Sequence, residues 1–343
     1  MGVSIRDVAT CAGVSVGTVS NVLNRPQSVP DATVERVRAA IDALGYVRND
    51  AARQLRAGRS HTVGMVVLDA RNPFFTDLAR GADDVATERG LSVLIGNSDE
   101  RPEREGRLLA HFEELRAHGI LLSPIAEDLP RLRTLRSRGI AVVLVDRTEA
   151  GSGFSSVAVD DIRGGALAAR HLLEGGRRRI AFVGGPATVR HVADRIEGTR
   201  AAISATPGAT LEIVPVATLT VAEGRDAGER IAARSRQERP DAIFAANDLV
   251  ALGVLQALTA AGVSVPDEIA LIGYDDIDFA ASAAVPLSSI RQPSRTMGAT
   301  ALSILIEEAA DPSLAPRNVV FEPELVVRAS TAGRRAPAGP VCG

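Results

Sequence analysis

Residues 4–24 read SIRDVATCAGVSVGTVSNVLN, and their spacing predicts two short helices joined by a tight turn. Ser4 and Asp7, three residues apart, make a capping box, which satisfies backbone N–H groups that a helix start leaves unpaired. Ile5, Val8, Ala9 and Ala12 follow at helical spacing and form one apolar stripe. Gly13 stands where a left-handed residue ends a helix at least steric cost. Ser15 caps the second helix, and Val19, Val22 and Leu23 give it a buried face. Two helices around a Gly-containing turn are either a plain αα-hairpin or a helix-turn-helix, whose second helix lies in the DNA major groove.

The flanking sequence builds on this pair. Pro26, Ser28 and Pro30 break both periodicities, so residues 25–31 read as loop. Val34, Val37, Ala40, Ile41 and Leu44 line a third helix that stops at Gly45, with Asp31 and Glu35 near its positive end. Residues 1–45 are therefore expected to form a small three-helix head. Residues 46–60, YVRNDAARQLRAGRS, place Ala51, Ala52 and Leu55 on one helical face, yet so short a piece does not persist as a helix alone. An Arg-rich linker reads the same way.

The chain has 343 residues, room for two or three domains, and its 45% hydrophobic and 24% charged content is ordinary for a globular protein. No apolar run nears the roughly 18 residues of a membrane span. Arg6 and Asp7 fall where a secretory signal needs an apolar stretch, so a cytoplasmic location is expected. Cys11 and Cys342 are too few for a disulfide framework or a metal site. Charge is unevenly spread: the first 60 residues hold eight arginines against five acids, the remainder 31 against 37. A basic head on an acidic body suits a DNA-binding module joined to a sensing domain.

From His61 the pattern changes. Short apolar runs near 62–68, 91–95, 119–122 and 142–145 alternate with helical stretches, and the alternation restarts at Gly164 with runs near 180–184, 211–216, 242–245 and 269–273. Such alternation implies right-handed βαβ units and doubly wound parallel sheets. Two sets of similar size predict an α/β core of two lobes with a cleft between them. Ligands in such sheets bind beyond the carboxyl ends of the strands. A helix over 300–310 and a strand pair over 319–327 close the series. The Ala-, Gly-, Pro- and Arg-rich tail 331–343 has no heptads and is expected to be disordered.

The motif DVA-x-x-AGVS-x-x-TVS-x-VLN at Asp7–Asn24 resembles the LacI/GalR family of bacterial transcription regulators, and the likeness continues to about residue 330. It implies a helix-turn-helix headpiece (1–45), a hinge helix (46–60) and an effector-binding core (61–330) like the periplasmic sugar-binding proteins. In such a core the chain crosses between lobes three times, near Val159, Ser289 and Phe321. The N-lobe is then about 61–159 and 290–320, the C-lobe about 160–289 and 321–330.

The resemblance also assigns residues. Val16, Gly17 and Asn21 match base-reading positions: Asn21 suits adenine N6 and N7, and Val16 a thymine methyl. Gly17 reads nothing directly, so specificity at that step is loose or set by DNA shape. Thr18, Ser20, Asn24 and the backbone at Ser15 match phosphate contacts, although capping or a solvated face accounts for such residues equally. Asn49, Ala52 and Leu55 match the hinge, whose leucine wedges into the minor groove, with Arg53, Arg56 and Arg59 beside the phosphates. In the cleft, Asp146 follows one strand, Asn247 and Asp248 follow FAAND, Asp275 follows LIGYD and Arg195 lies in D-R-x-x-G. Asp and Asn exchange hydrogen bonds with hydroxyls and Arg donates a fixed fork, so a sugar or polyol effector is expected. Phe74 of the N-P-F-F turn would pack on its apolar face, while Leu219 stands near the position of a stacking aromatic.

Together these make a homodimeric, ligand-controlled regulator on a pseudo-palindromic duplex operator the leading expectation, with no cofactor and no membrane partner. A transport-type binding protein has no use for residues 1–60. An enzyme would need a motif that is missing: there is no GxxxxGK[ST], no nucleophile elbow and no Cys–His pairing.

Overall fold

The computed structural model of the protein describes residues 3–46, 60–125, 129–147, 151–186 and 189–332. The chain divides into two compact units, Met1–Arg59 and Ser60–Gly343. The expected hinge residues Asn49, Ala52 and Leu55, and most of the expected tail, lie outside the described residues.

In the first unit, α1 (Ile5–Ala12), α2 (Val16–Asn24) and α3 (Asp31–Leu44) surround one small core. At the start of α1, the Ser4 N–H donates to Asp7 Oδ2 at 2.8 Å and its hydroxyl to the same oxygen at 2.7 Å. Gly13 and Gly45 end α1 and α3 at φ +65° and +60°, left-handed geometry that favours glycine. Ser15 Oγ caps α2 by accepting from the Thr18 N–H at 3.1 Å. Val8, Val19 and Val37, one from each helix, are shut off from solvent entirely. The stretch between α2 and α3 contains a single 3-10 turn, Pro26–Ser28.

The second unit begins with β1 (Thr62–Val67), α4 (Pro73–Glu88), β2 (Ser92–Asn97), α5 (Pro102–Glu114), β3 (Gly119–Leu122), α6 (Leu129–Ser137), β4 (Ala141–Val145) and β5 (Ser155–Val159). A second series follows: α7 (Asp161–Glu174), β6 (Arg179–Gly184), α8 (Arg190–Ser204), β7 (Thr210–Pro215), α9 (Val221–Ala232), β8 (Ala242–Ala245), α10 (Asp248–Ala260) and β9 (Ala270–Asp275). It closes with α11 (Asp278–Ser282), β10 (Ser288–Arg291), α12 (Ser294–Ala310), β11 (Asn318–Phe321) and β12 (Glu324–Val326). One sheet runs β2-β1-β3-β4-β5-β11 and the other β7-β6-β8-β9-β10-β12. Every pairing is parallel except β10 with β12. Each sheet thus reverses strand order beside its first strand, and ligand sites form at such a switch point.

Strand burial explains why the runs read as continuous apolar segments. In β1, Val63, Met65 and Val67 pack under α4 and α12, while Val66 points to the opposite face with Leu109, Phe112 and Leu135. Both faces are covered, as parallel sheets require. The chain passes between sheets after β5, after β10 and after β11. The two strands expected at 319–327 lie in different lobes, as the expected crossing near Phe321 requires: β11 joins β5 in one sheet and β12 joins β10 in the other. Strands β5 and β10 and helix α11 had no counterpart in the sequence pattern. Thr331, placed in the tail from sequence, belongs to the core, where its hydroxyl meets His171 Nε2 at 2.7 Å and Ser288 Oγ at 2.6 Å.

Candidate functional site

Strand ends bring most of the singled-out core residues to one place. Asp146 follows β4, Asn247 follows β8, Asp275 ends β9 and Phe74 opens α4. Together with Arg195 of α8 they line one cleft between the two sheets. Leu68, Asn72 and Phe75 complete the wall on one side, His191 and Leu219 on the other, and Gln292 sits where the chain leaves β10.

Arg195 organises the second lobe's wall. It is 2% exposed, its Nε donates to Asp161 Oδ1 at 2.8 Å and its Nη1 to the Ala246 carbonyl at 2.7 Å. The guanidinium lies over the Tyr274 ring, 3.6 Å from the centroid, a stacked cation–π arrangement. Gly164 of α7 permits it: a Cβ there would sit 2.1 Å from the Tyr274 hydroxyl. Arg195 Nη2 stands 4.0 Å from Asp275 Oδ1.

Asp275 joins the lobes. Its Oδ2 accepts from Asn72 Nδ2 and its Oδ1 from Gln292 Nε2, both at 2.8 Å. Burial pushes this carboxyl above its ordinary value, while Arg195 and the two amides hold it down. Asp146 is placed otherwise: its Oδ1 is buried with no partner and its Oδ2 lies 3.6 Å from His191 Nδ1. Burial and the neighbouring Asp161 push Asp146 well above 3.8. Burial and Arg195 push His191 well below 6.5. Asp146 and Asp275 also have left-handed backbones, φ +60° and +100°, uncommon outside glycine and a kind of strain that collects at binding sites.

Two expected contacts have other duties as well. Asn247 caps α10, accepting from the Val250 N–H at 2.9 Å, and donates to the Leu219 carbonyl at 3.3 Å. Asp248 is fully buried and holds the Ile277 N–H and the Ser289 hydroxyl, at 2.9 and 2.8 Å, so it braces the lobe behind the cleft. Phe74 and Phe75 meet edge to face at 5.0 Å, and both are buried. Asn72, Asp161, His191 and Gln292 were not singled out from sequence. Asn72 had a signal, an Asn before Pro at a helix start, whereas Gln292 follows a strand that the pattern concealed.

On the head, Val16, Gly17 and Asn21 lie along the exposed face of α2, and Val16 is 42% exposed. Thr18 and Ser20 are half-buried, and Thr18 Oγ1 is 2.9 Å from Ser15 Oγ. Asn24 Nδ2 donates to the Ser20 carbonyl at 2.8 Å, so these polar groups are locally satisfied at the helix surface.

The profile of the lacI family of bacterial regulatory proteins matches residues 4–49, and that of a periplasmic binding protein-like domain matches residues 169–331. The ribose operon repressor of Escherichia coli strain K12 is 34% identical over 95% of this chain and 99% of its own length. The chain belongs to the LacI family. This LacI-family member is also similar to solved structures: a CelR–cellobiose complex at 31% identity and TM-score 0.69, covering 96% of this chain and 99% of that one. A LacI-family regulator from Enterococcus faecium with bound ribose follows at 27% identity and TM-score 0.71, covering 79% and 98%. Membership places the LacI-family chain among ligand-responsive DNA-binding repressors rather than enzymes. No helix among its described residues is long and apolar enough to cross a membrane.

Proposed function

We propose that this LacI-family repressor binds a pseudo-palindromic duplex operator as a homodimer in the cytoplasm, and that an uncharged sugar or polyol in the interlobe cleft controls that binding. The observation carrying the effector reading is the pair of unpartnered buried acceptors in the cleft wall, Asp146 Oδ1 and Gln292 Oε1. Buried acceptors without donors are costly, and the hydroxyls of a polyol supply the donors. Phe74 and Leu219 offer apolar surface to ring carbons, Arg195 offers Nη2, Asp275 accepts, and Asn247 contributes its second amide hydrogen. The ribose-bound Enterococcus faecium regulator supports that class.

For DNA, Val16, Gly17 and Asn21 read bases while Ser15, Thr18, Ser20 and Asn24 position the helix on phosphates. Asn49, Ala52 and Leu55 form the hinge that orders on the operator. A homodimer is supported by the edge strand β2, which exposes Leu94 and Ile95 at 48% and 51%; exposed apolar edges are usually covered. Effector and operator then compete through a population shift between lobe arrangements.

Fluorescence anisotropy on duplexes from around its own gene tests this directly. Affinity should fall steeply between 50 and 200 mM salt, by on the order of a thousandfold or more for six or more phosphate contacts, and should change with one member of a sugar panel. Leu55→Ala should weaken specific binding while the head stays folded. Salt-independent or absent binding overturns the reading.

A further inference from the structure

The cleft holds more carboxylates than cations. Asp146, Asp161 and Asp275 are buried around a single buried guanidinium, Arg195. Glu100 adds a further carboxyl to the wall, whereas Asp69 there is paired with Arg71. The unpartnered atoms of that wall, Asp146 Oδ1 and Gln292 Oε1, are both acceptors. Arg195 has committed Nε to Asp161 and one Nη1 hydrogen to a carbonyl, and its Nη2 stands 4.0 Å from Asp275.

Three of the surrounding arginines are already matched to carboxylates. Arg71 pairs with Asp69 at 2.9 Å, Arg104 with Asp99 at 3.0 Å and Arg190 with Asp194 at 3.0 Å. Arg147 lines the wider vestibule outside and is itself engaged. His191, pushed down by burial and Arg195, adds no positive charge at neutral pH.

We infer that the cleft is a charge filter: it admits an uncharged polyhydroxy ligand and rejects the phosphate ester or carboxylic acid of that same ligand. This rests on the sugar-binding role proposed above. A hydroxyl donates to Asp146 or Gln292 and accepts from Arg195 Nη2. A phosphate brings acceptors and up to two negative charges to a pocket already in carboxylate excess. Like charges brought together out of water cost several powers of ten in affinity, so discrimination of at least about a hundredfold in Kd is expected. The repressor then senses the free polyol and is blind to its phosphorylated form.

Calorimetric titration of the full-length chain with D-ribose and ribose 5-phosphate, D-glucose and glucose 6-phosphate, and gluconate tests the filter. A neutral sugar that binds at least about a hundredfold tighter than its ester supports it. An ester that binds within about tenfold of its parent overturns it. If only an ester or gluconate binds, the filter is wrong while a sugar-derived effector survives; if nothing in the panel binds, the sugar reading and the filter fall together. Asp146→Asn keeps the shape and suits the left-handed backbone. It should narrow the neutral-to-ester ratio by about tenfold or more, with operator binding as the check on folding. An unchanged ratio removes Asp146 as the discriminating group.

Discussion

Arg195 and Asp146 stand on opposite walls of the cleft and make opposite demands. Arg195 is a satisfied buried cation, so removing it exposes more than a ligand contact. Arg195→Ala leaves Asp161 and Asp275 buried beside no countercharge, and breaking a buried pair in this way costs about 3–5 kcal/mol. Effector binding should vanish in calorimetry and the core should melt earlier, with operator binding retained below that temperature; a variant as stable as the parent would show that the network contributes little. Asp146 is an unsatisfied acid. Its pKa is raised above the ordinary 3.8 by burial and Asp161, so the folded core keeps a proton that the unfolded chain has lost. Stability from this group is present in acid and is lost as pH rises above about 4. His191, pushed down by burial and Arg195, acts in reverse below 6.5, where the unfolded chain takes the proton first. His191 lies 3.6 Å from Asp146, so the wild type and Asp146→Asn are compared first at pH 7–8, above the range in which the histidine takes up a proton. The variant's effector-free core should be more stable at pH 7–8 by about 1–3 kcal/mol, because the amide carries no buried charge, and the gap should close toward pH 4. A gap that widens in acid contradicts the assignment. Asp146 and Arg195 were named from sequence because strand ends are where ligands bind; their contrast in satisfaction was not legible, since it depends on Asp161, which lies 34 residues from Arg195.

Helix pairs on one face of each sheet lock through glycines, and these set a second kind of prediction. A Cβ on Gly298 of α12 would lie 1.8 Å from the Leu78 carbonyl oxygen, and one on Gly81 of α4 would lie 1.9 Å from that of Arg295. The two helices therefore touch backbone to backbone. Gly298→Ala should destabilise the core by about 1–3 kcal/mol in urea denaturation, because overpacking forces the helices apart. Gly106 of α5 is the control: nothing stands within 4 Å of a Cβ there, so Gly106→Ala should stabilise by about 0.5–1 kcal/mol through helix propensity alone. Equal effects at both sites would refute the packing argument. The same distinction explains which elements the sequence revealed. Strands such as TVGMVV announce themselves by composition. Strands β5 and β10 begin SSVAV and SSIR, and buried serines do not look like core. Tertiary partners satisfy them: Ser156 donates to Asn318 Oδ1 at 2.7 Å and Ser289 to Asp248 Oδ1 at 2.8 Å. Both strands lie at lobe crossings, so the pattern failed where the chain changes lobes.

Across the whole molecule, the proposed function needs two chains and two lobes. Ile95→Glu places a charge on the exposed edge of β2 and should turn a dimer into a monomer in sedimentation velocity. Operator affinity should then drop by about a hundredfold or more, since avidity from two linked half-sites is lost; a variant that remains dimeric locates the interface elsewhere. The sequence alone carried the head, because capping, helical spacing and left-handed glycines act within a few residues. It carried the alternation of strands and helices, because burial on both faces leaves an apolar run that is visible in composition. Only the tertiary structure decided that Asn72, Gln292 and Asp275 meet, and that two acceptors in the cleft wall stay unpaired. Those outcomes are set by hydrogen bonds between residues as many as 203 positions apart, and no local pattern encodes which distant group will supply or withhold a donor.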